Sequence, residues 1–395
     1  MRRGNREKRL YIAAIIAAGV ILASAPARAE IKIGAVLSVT GPAAFLGEPE
    51  KRTLEIYVAD INAKGGIDGQ PISLILYDDA GNPNQSRIFA TRLIENDKVD
   101  ALLAGTTTAT ALAIIPIAEK ARVPLINFAG AVQAVAPVRA YIFKTPHTDL
   151  MACEKIFEDL KQRGLTRIAM ISGLDAFGAS MRAQCHSVTG KYGIEVLHEE
   201  SYNPGDIDMT PQLAAIKAKA GVQAVLNPGF GQGPATVTRN YRQLGIKLPL
   251  YESHGVGSKQ YIELAGPAAD GVRLPAAALL VADKLPDNDP QKKVLIDYKT
   301  TYERTTGQPV SSFGGHAYDG LMILVGALKR IKPNDKATDK ARLRDAIEAT
   351  RNFLGTGGAV NMSATDHLGL DLSALRMLEI SNGDWTLVKA TDAGR

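Results

Sequence analysis

Four threonine hydroxyls fall within the six residues Gly105-Thr106-Thr107-Thr108-Ala109-Thr110, where a short apolar run gives way to an amphipathic one. A strand ending there and a helix starting there would leave first-turn N–H groups unpaired. With the positive end of the helix dipole, those groups make a ready site for a carboxylate. The same hydroxyls could instead cap the helix. Ala129-Gly130-Ala131, after the next apolar run, offers small side chains that let backbone groups come close to a ligand. The nearest thing to a cofactor motif is Gly229-Phe230-Gly231-Gln232-Gly233, with Glu252 about where a ribose-binding acid would lie. It lacks the third glycine at the proper step, so no cofactor is expected. No G-x-S-x-G elbow, no H-E-x-x-H pair and no cysteine cluster with metal spacing occurs. The six histidines (His147, His186, His198, His254, His316 and His367) are scattered, and most are expected on the surface or in loops.

Elements that could position these groups follow from the hydrophobic pattern. Short β-branched runs alternate with longer amphipathic ones, which reads as βαβ units. Parallel strands are expected at Ile31–Val39, Ile72–Tyr77, Ala101–Ala104 and Val123–Phe128, with helices near Glu48–Ala63, Gln85–Asn96 and Ala109–Ala121. Continuous apolar strands of this kind imply helices on both faces. A second series begins after His147, with a helix over Leu150–Arg163 and strands at Ile168–Ile171, Ile194–Val196, Ala224–Leu226 and Leu248–Tyr251. Thr210-Pro211 reads as a hydroxyl cap followed by proline at the first helical position. An extended run over Val272–Leu280, helices near Gln291–Thr305, Phe313–Lys332 and Asp339–Arg351, and a hairpin over Leu375–Leu387 turning at Asn382-Gly383 complete the chain. The fold class is therefore α/β, with two Rossmann-like lobes and a ligand cleft at the carboxyl ends of their strands.

The amino terminus states where the protein works. Arg2, Arg3, Arg6, Lys8 and Arg9 precede an apolar run from Leu10 to Ala23, and Ala27-Arg28-Ala29 is a small-x-small cleavage site. Residues 1–29 are expected to be a signal peptide, the run being shorter than the roughly 20 residues a membrane span needs. Cleavage removes six basic residues and one acid, so 46 Lys+Arg and 41 Asp+Glu become 40 and 40. A neutral mature chain gives no reason to expect nucleic acid as a partner. No later stretch of 18 apolar residues occurs, and the mature chain is expected to be soluble. Cys153 and Cys185 are its two cysteines. Export makes a disulfide between them reasonable, but two buried free thiols explain the same count.

With these tracts in view, the chain resembles the type I periplasmic binding proteins, in particular the leucine/isoleucine/valine receptors of branched-chain amino-acid ABC importers. The likeness is carried by Ile33-Gly34-Ala35 through Thr40-Gly41-Pro42 and by Asp60-Ile61-Asn62-Ala63-Lys64-Gly65-Gly66-Ile67. Tyr77-Asp78-Asp79-Ala80, Ala118-Glu119 leading to Val123-Pro124-Leu125-Ile126, and Gly255-Val256-Gly257 extend it along the mature chain. The resemblance implies a two-lobed clamp joined by three crossover strands, near His147, Ala268–Leu280 and Leu354–Gly358. Lobe 1 would span residues 30–146 and 279–357, and lobe 2 residues 147–278 and 358–395. It also implies a monomeric, non-enzymatic protein of the periplasm that delivers a small solute to an inner-membrane ABC permease. A sensory receptor would share the fold, and an exported α/β enzyme remains the rival class.

Carried over by position, Thr108, with Thr107 before it, matches the hydroxyl that binds the ligand carboxylate, and Ala129, Gly130 and Ala131 match its backbone partners. Leu46 and Phe177 fall where aromatic side chains are common, and Phe230 where a tyrosine helps hold the ligand. His254 falls where the amino-acid receptors carry a glutamate that pairs with the α-ammonium. A buried ammonium without a carboxylate costs several kcal/mol, more than neutral hydrogen bonds at about 1 kcal/mol each offset. Two phenylalanines and a histidine therefore point to a small carboxylate with an apolar, aromatic body. The other reading is that Glu252 supplies the missing charge and the ligand is Leu, Ile or Val.

Overall fold

The computed structural model describes residues 30–332 and 338–388; the expected signal peptide, residues 1–29, lies outside them. Five strands form the first sheet: β1 Ile31–Leu37, β2 Ile72–Asp78, β3 Ala101–Ala104, β4 Leu125–Asn127 and β5 Ile142–Lys144. All pair in parallel, in the order β2-β1-β3-β4-β5. Between them run α1 (Ala44–Ala63), α2 (Pro83–Glu95) and α3 (Thr108–Ala121). Helix α1 starts four residues earlier than expected, ahead of the Pro49 inside it, because its first turn precedes the point where proline removes an N–H.

The second sheet has seven strands, and its parallel part is β6 Arg167–Gly173, β7 Glu195–Tyr202, β8 Ala224–Asn227, β9 Leu250–Glu252 and β10 Arg273–Ala277. They alternate with α4 (Asp149–Gln162), α5 (Ala176–Tyr192), α6 (Thr210–Ala218), α7 (Gln232–Gln243) and α8 (Lys259–Ala265). The order is β14-β13-β10-β9-β8-β6-β7, where β13 (Leu375–Ser381) and β14 (Asp384–Leu387) form the expected antiparallel hairpin. Asn382 and Gly383 both have positive φ, as a two-residue hairpin turn requires. Strand β7 runs to eight residues where three were expected, since as an edge strand it is only partly buried and its hydrophobic signal is weak. Thr210 is the first helical residue of α6 rather than its cap; Met209 precedes it and no side chain caps that helix. The run after Val272 pairs only as far as Ala277, and Ala278–Lys284 winds into 3-10 turns.

After β10 the chain returns to the first lobe, where α10 (Ser312–Ile331), following α9 (Lys292–Thr306) and preceding α11 (Lys340–Glu348), packs along α1. A short ladder of β11 (Phe353–Leu354) and β12 (Ala359–Val360) then leads back to β13. The two sheets have separate cores: Ile33, Leu54 and Leu103 with Leu321 and Leu324 in one, and Ile171, Val225, Tyr241 and Leu274 in the other. Cys153 on α4 and Cys185 on α5 are joined by a disulfide, with Cα atoms 5.0 Å apart, inside the second lobe. Among the described residues no helix is long and apolar enough to cross a membrane.

Candidate functional site

Segments that follow β3, β4 and β5 of the first sheet and β6, β8 and β9 of the second line a common cleft, as ligand sites of α/β sheets do at the carboxyl ends of strands. Its inner cavity has about 430 Å³ of empty volume, including the part open to solvent. Lobe 1 supplies Leu46, Thr106, Thr107, Thr108, Phe128, Gly130 and Pro146; lobe 2 supplies Phe177, Phe230, His254 and Gly255; α10 adds Phe313 and His316. Among the described residues no Asp, Glu, Lys or Arg lines it.

The threonine tract divides between support and cleft. Thr107 is the N-cap of α3: its hydroxyl accepts from Thr110 N–H at 3.2 Å, and Thr110 Oγ1 accepts from Thr107 N–H at 3.0 Å. Thr106 Oγ1 donates to Glu50 Oε2 at 2.5 Å and accepts from Ser38 N–H at 3.1 Å. Thr108, the first helical residue, is 3% exposed and its hydroxyl has no partner in the protein. Capping therefore accounts for Thr107 and Thr110, and Thr108 alone keeps a hydroxyl to give.

Of the three small residues after β4, only Gly130 lines the cavity. Ala129 is not a free backbone partner as expected, because its N–H donates to Asn127 Oδ1 and its carbonyl accepts from the Lys144 ammonium. The Ala131 carbonyl is taken by Ala134 N–H. A Cβ on Gly130 would lie 2.7 Å from a Phe177 ring carbon and 3.1 Å from His254 Nε2, so the lobes meet at this glycine.

Lobe 2 answers with aromatic faces. Phe177 stands edge-on to Phe230, with ring centroids 6.0 Å apart, and edge-on to His254 at 5.3 Å. Phe45 links Phe230 to Phe313, with ring centroids 6.2 Å and 5.7 Å away. Both His254 ring nitrogens are buried; no side chain bonds them among the described residues, and the His147 backbone lies close enough to act on the ring. Burial first, and the charge of Lys144 second, lower its proton affinity to a pKa of about 3, so the ring is neutral at pH 7. Neutral imidazole offers one donor and one acceptor.

The sequence pattern missed His316, Phe313, Phe128 and Pro146. His254 is buried in the cleft as its expected role requires; His147 and His367 lie in loops but are buried, and His316 is buried within a helix rather than on the surface or in a loop. His316 has an unpartnered Nδ1, and its pKa is held well below the usual value, chiefly by burial. The available signal was Gly314-Gly315 inside an apolar helix. Cβ atoms there would meet Tyr298 Oη at 2.5 Å and Thr356 Oγ1 at 2.7 Å, so α10 must pack closely where His316 enters the cleft.

Glu252 ends β9 in the core of lobe 2 and does not line the cavity. Its Oε1 accepts from Asn227 Nδ2 and Thr238 Oγ1, each at 3.2 Å, and burial raises its pKa well above the ordinary carboxyl value. Two of the three segments expected to cross between the lobes, near His147 and near Gly357, are hydrogen-bonded to each other. His147 Nε2 bonds Gly357 O at 2.8 Å, and Asp319 accepts from the N–H groups of Thr356 and Gly357, both at 2.7 Å.

A family model for periplasmic binding proteins matches residues 30–384. The leucine-, isoleucine-, valine-, threonine- and alanine-binding protein of Pseudomonas aeruginosa is 26% identical over 363 residues, which cover 90% of this chain and 92% of that protein. An extracellular ligand-binding receptor from Rhodopseudomonas palustris HaA2 is 28% identical and superposes with a TM-score of 0.85, over 91% of this chain and all of the other. A branched-chain amino acid transporter substrate binding protein of Streptococcus pneumoniae, solved with isoleucine, shares the fold at a TM-score of 0.79 and 22% identity, over 90% and 98% of the two chains. Sequence and fold agree over nearly the whole described chain: it belongs to the type I periplasmic binding protein family, in the group of the leucine/isoleucine/valine-binding receptors.

Proposed function

We propose that the protein is the periplasmic solute receptor of an ABC importer and that it binds a small carboxylate with an apolar, aromatic body. The carrying observation is the composition of the cleft. Four phenylalanines, a leucine and a proline surround an unpartnered Thr108 hydroxyl and two neutral imidazoles, and among the described residues no acidic side chain lines the cavity. Thr108 then bonds the carboxylate, Phe177 and Phe230 flank the ring, and His254 or His316 bonds a second polar atom. An α-ammonium would face no anion, at a cost of several kcal/mol. Leu46 and Gly130 complete the contact surface, and the lobes close about the three crossovers as ligand contacts bias the closed form. Residues 1–29 direct export and are removed, and the mature monomer returns its ligand unaltered to a membrane permease.

A receptor for Leu, Ile or Val is the second reading, favoured by relatives that are leucine-, isoleucine- and valine-binding proteins. A thermal-shift screen of benzoates and phenylpropenoates against Leu, Ile and Val separates the two. A ligand at 100 times its dissociation constant adds about 2.7 kcal/mol of apparent stability. Stabilisation by aromatic acids and not by Leu is expected; the reverse pattern overturns the aromatic-acid reading. Replacing the imidazole with an acid, His254→Glu, is expected to shift preference toward Leu in calorimetry.

A further inference from the structure

We propose that Lys144, which does not line the cavity, supplies the positive charge by which the pocket prefers an acid over its neutral analogue. The inference rests on the carboxylate reading of the site and names the residue behind that preference.

Lys144 ends β5 and is fully buried. Its ammonium donates to two backbone carbonyls, Ala129 and His147, the latter at 3.2 Å. Both acceptors adjoin the cavity: Ala129 precedes Gly130, and His147 follows Pro146. Burial draws the Lys144 pKa from 10.5 down to about 7, against the raising effect of the Asp149 carboxylate, and a nearby anion favours its charged form. That carboxylate is already held by Val132 N–H at 2.8 Å, Leu150 N–H at 2.9 Å and the Ser180 hydroxyl. The ammonium is thus solvated by two carbonyls and one shared acid, short of what a buried cation requires.

Its charge is felt in the cleft. The proton affinities of His147, His254 and His316 are all lowered by it, as well as by burial. Between buried groups a unit charge acts over several ångströms without contact. An anion seated against Thr108 and Gly130 adds a second counter-charge to that of Asp149, so acid recognition is divided between a hydroxyl that touches the ligand and an ammonium beneath it.

The test uses the mature chain carrying Lys144→Met, Lys144→Gln or Lys144→Arg, with binding followed by calorimetry at pH 7. The probes are benzoate against benzamide, and leucine against leucinamide. The unmodified protein is expected to prefer the acid of its binding pair by about 100-fold; a ratio near one overturns the inference without any variant. Lys144→Met and Lys144→Gln should lower that ratio about tenfold or more while the amide affinity stays within about threefold, and Lys144→Arg should keep the ratio. The Gln variant retains a donor for the two carbonyls, so it decides the matter if the Met variant does not fold. Equal loss of acid and amide binding assigns Lys144 a purely structural role and overturns the proposal. Should leucine bind and benzoate not, the aromatic reading fails separately, and the leucine pair still judges Lys144.

Discussion

A hydroxyl that caps a helix and one that faces a cleft differ only in their partners, and Thr107 and Thr108 supply one of each. Thr107→Ala should cost about 1 kcal/mol in urea unfolding through the lost cap. Thr108→Val keeps the side-chain shape and removes an unbonded hydroxyl, so stability should hold or rise slightly. Its affinity for an acid should fall by about 1.5 to 3 kcal/mol, the worth of a hydrogen bond to a charged group. Unchanged affinity in calorimetry removes Thr108 from the site. At His254 the folded protein lowers the pKa from 6.5 to about 3, mainly by burial. The unfolded chain therefore binds the proton first as pH falls through 6.5, and this group costs the parent about 2 kcal/mol of stability by pH 5. Comparing parent and His254→Phe at pH 7 and pH 5 should reveal a gap that changes by about that amount in the variant's favour. A constant difference between the two pH values would contradict the buried, neutral imidazole.

Secondary elements decide how closely the lobes approach. Strand ends β3, β4 and β5 face β6, β8 and β9 across the cleft, and Gly130 is where the loop after β4 touches Phe177 and His254. Gly130→Ala would insert a methyl group into that contact. Overpacking at a tight interface costs about 1 to 3 kcal/mol, so ligand affinity should drop by a comparable amount. Small-angle scattering should then show less compaction on adding ligand than the parent shows. Full affinity and full compaction in this variant would mean that closure does not need the Gly130 contact.

For the whole molecule, the two sheets are separately cored and the disulfide lies within one of them. The bridge spans a sequence separation of 32 residues, for which loop closure alone gives about 3 to 4 kcal/mol of stabilisation. Cys153→Ser with Cys185→Ser should lower the unfolding free energy by about that amount while the folded protein binds its ligand as before, since neither cysteine lines the cleft. A large loss of affinity with little loss of stability would show that the bridge shapes the site rather than lobe 2.

Local patterns in the sequence suffice for whatever depends on neighbours along the chain. The apolar β1 and β3, the Asn382-Gly383 turn and the strand-end threonine tract are all readable there, because turn chemistry and hydrophobic period act over a few residues. The clamp itself was legible through the N-A-K-G-G-I and Y-D-D tracts. Which hydroxyl is free, however, depends on Glu50 and Ser38, more than fifty residues away, taking up Thr106. Ala129 was read as an open backbone partner, but Lys144 claims its carbonyl from the neighbouring strand. His316 reaches the cleft only because α10 returns to lobe 1 and packs along α1. Glu252, two residues from His254, turns into the lobe core, since successive strand-end side chains are directed by sheet packing rather than by their order in the chain. Burial, hydrogen-bond competition and long-range packing are properties of the folded chain, and they decided the content of the pocket.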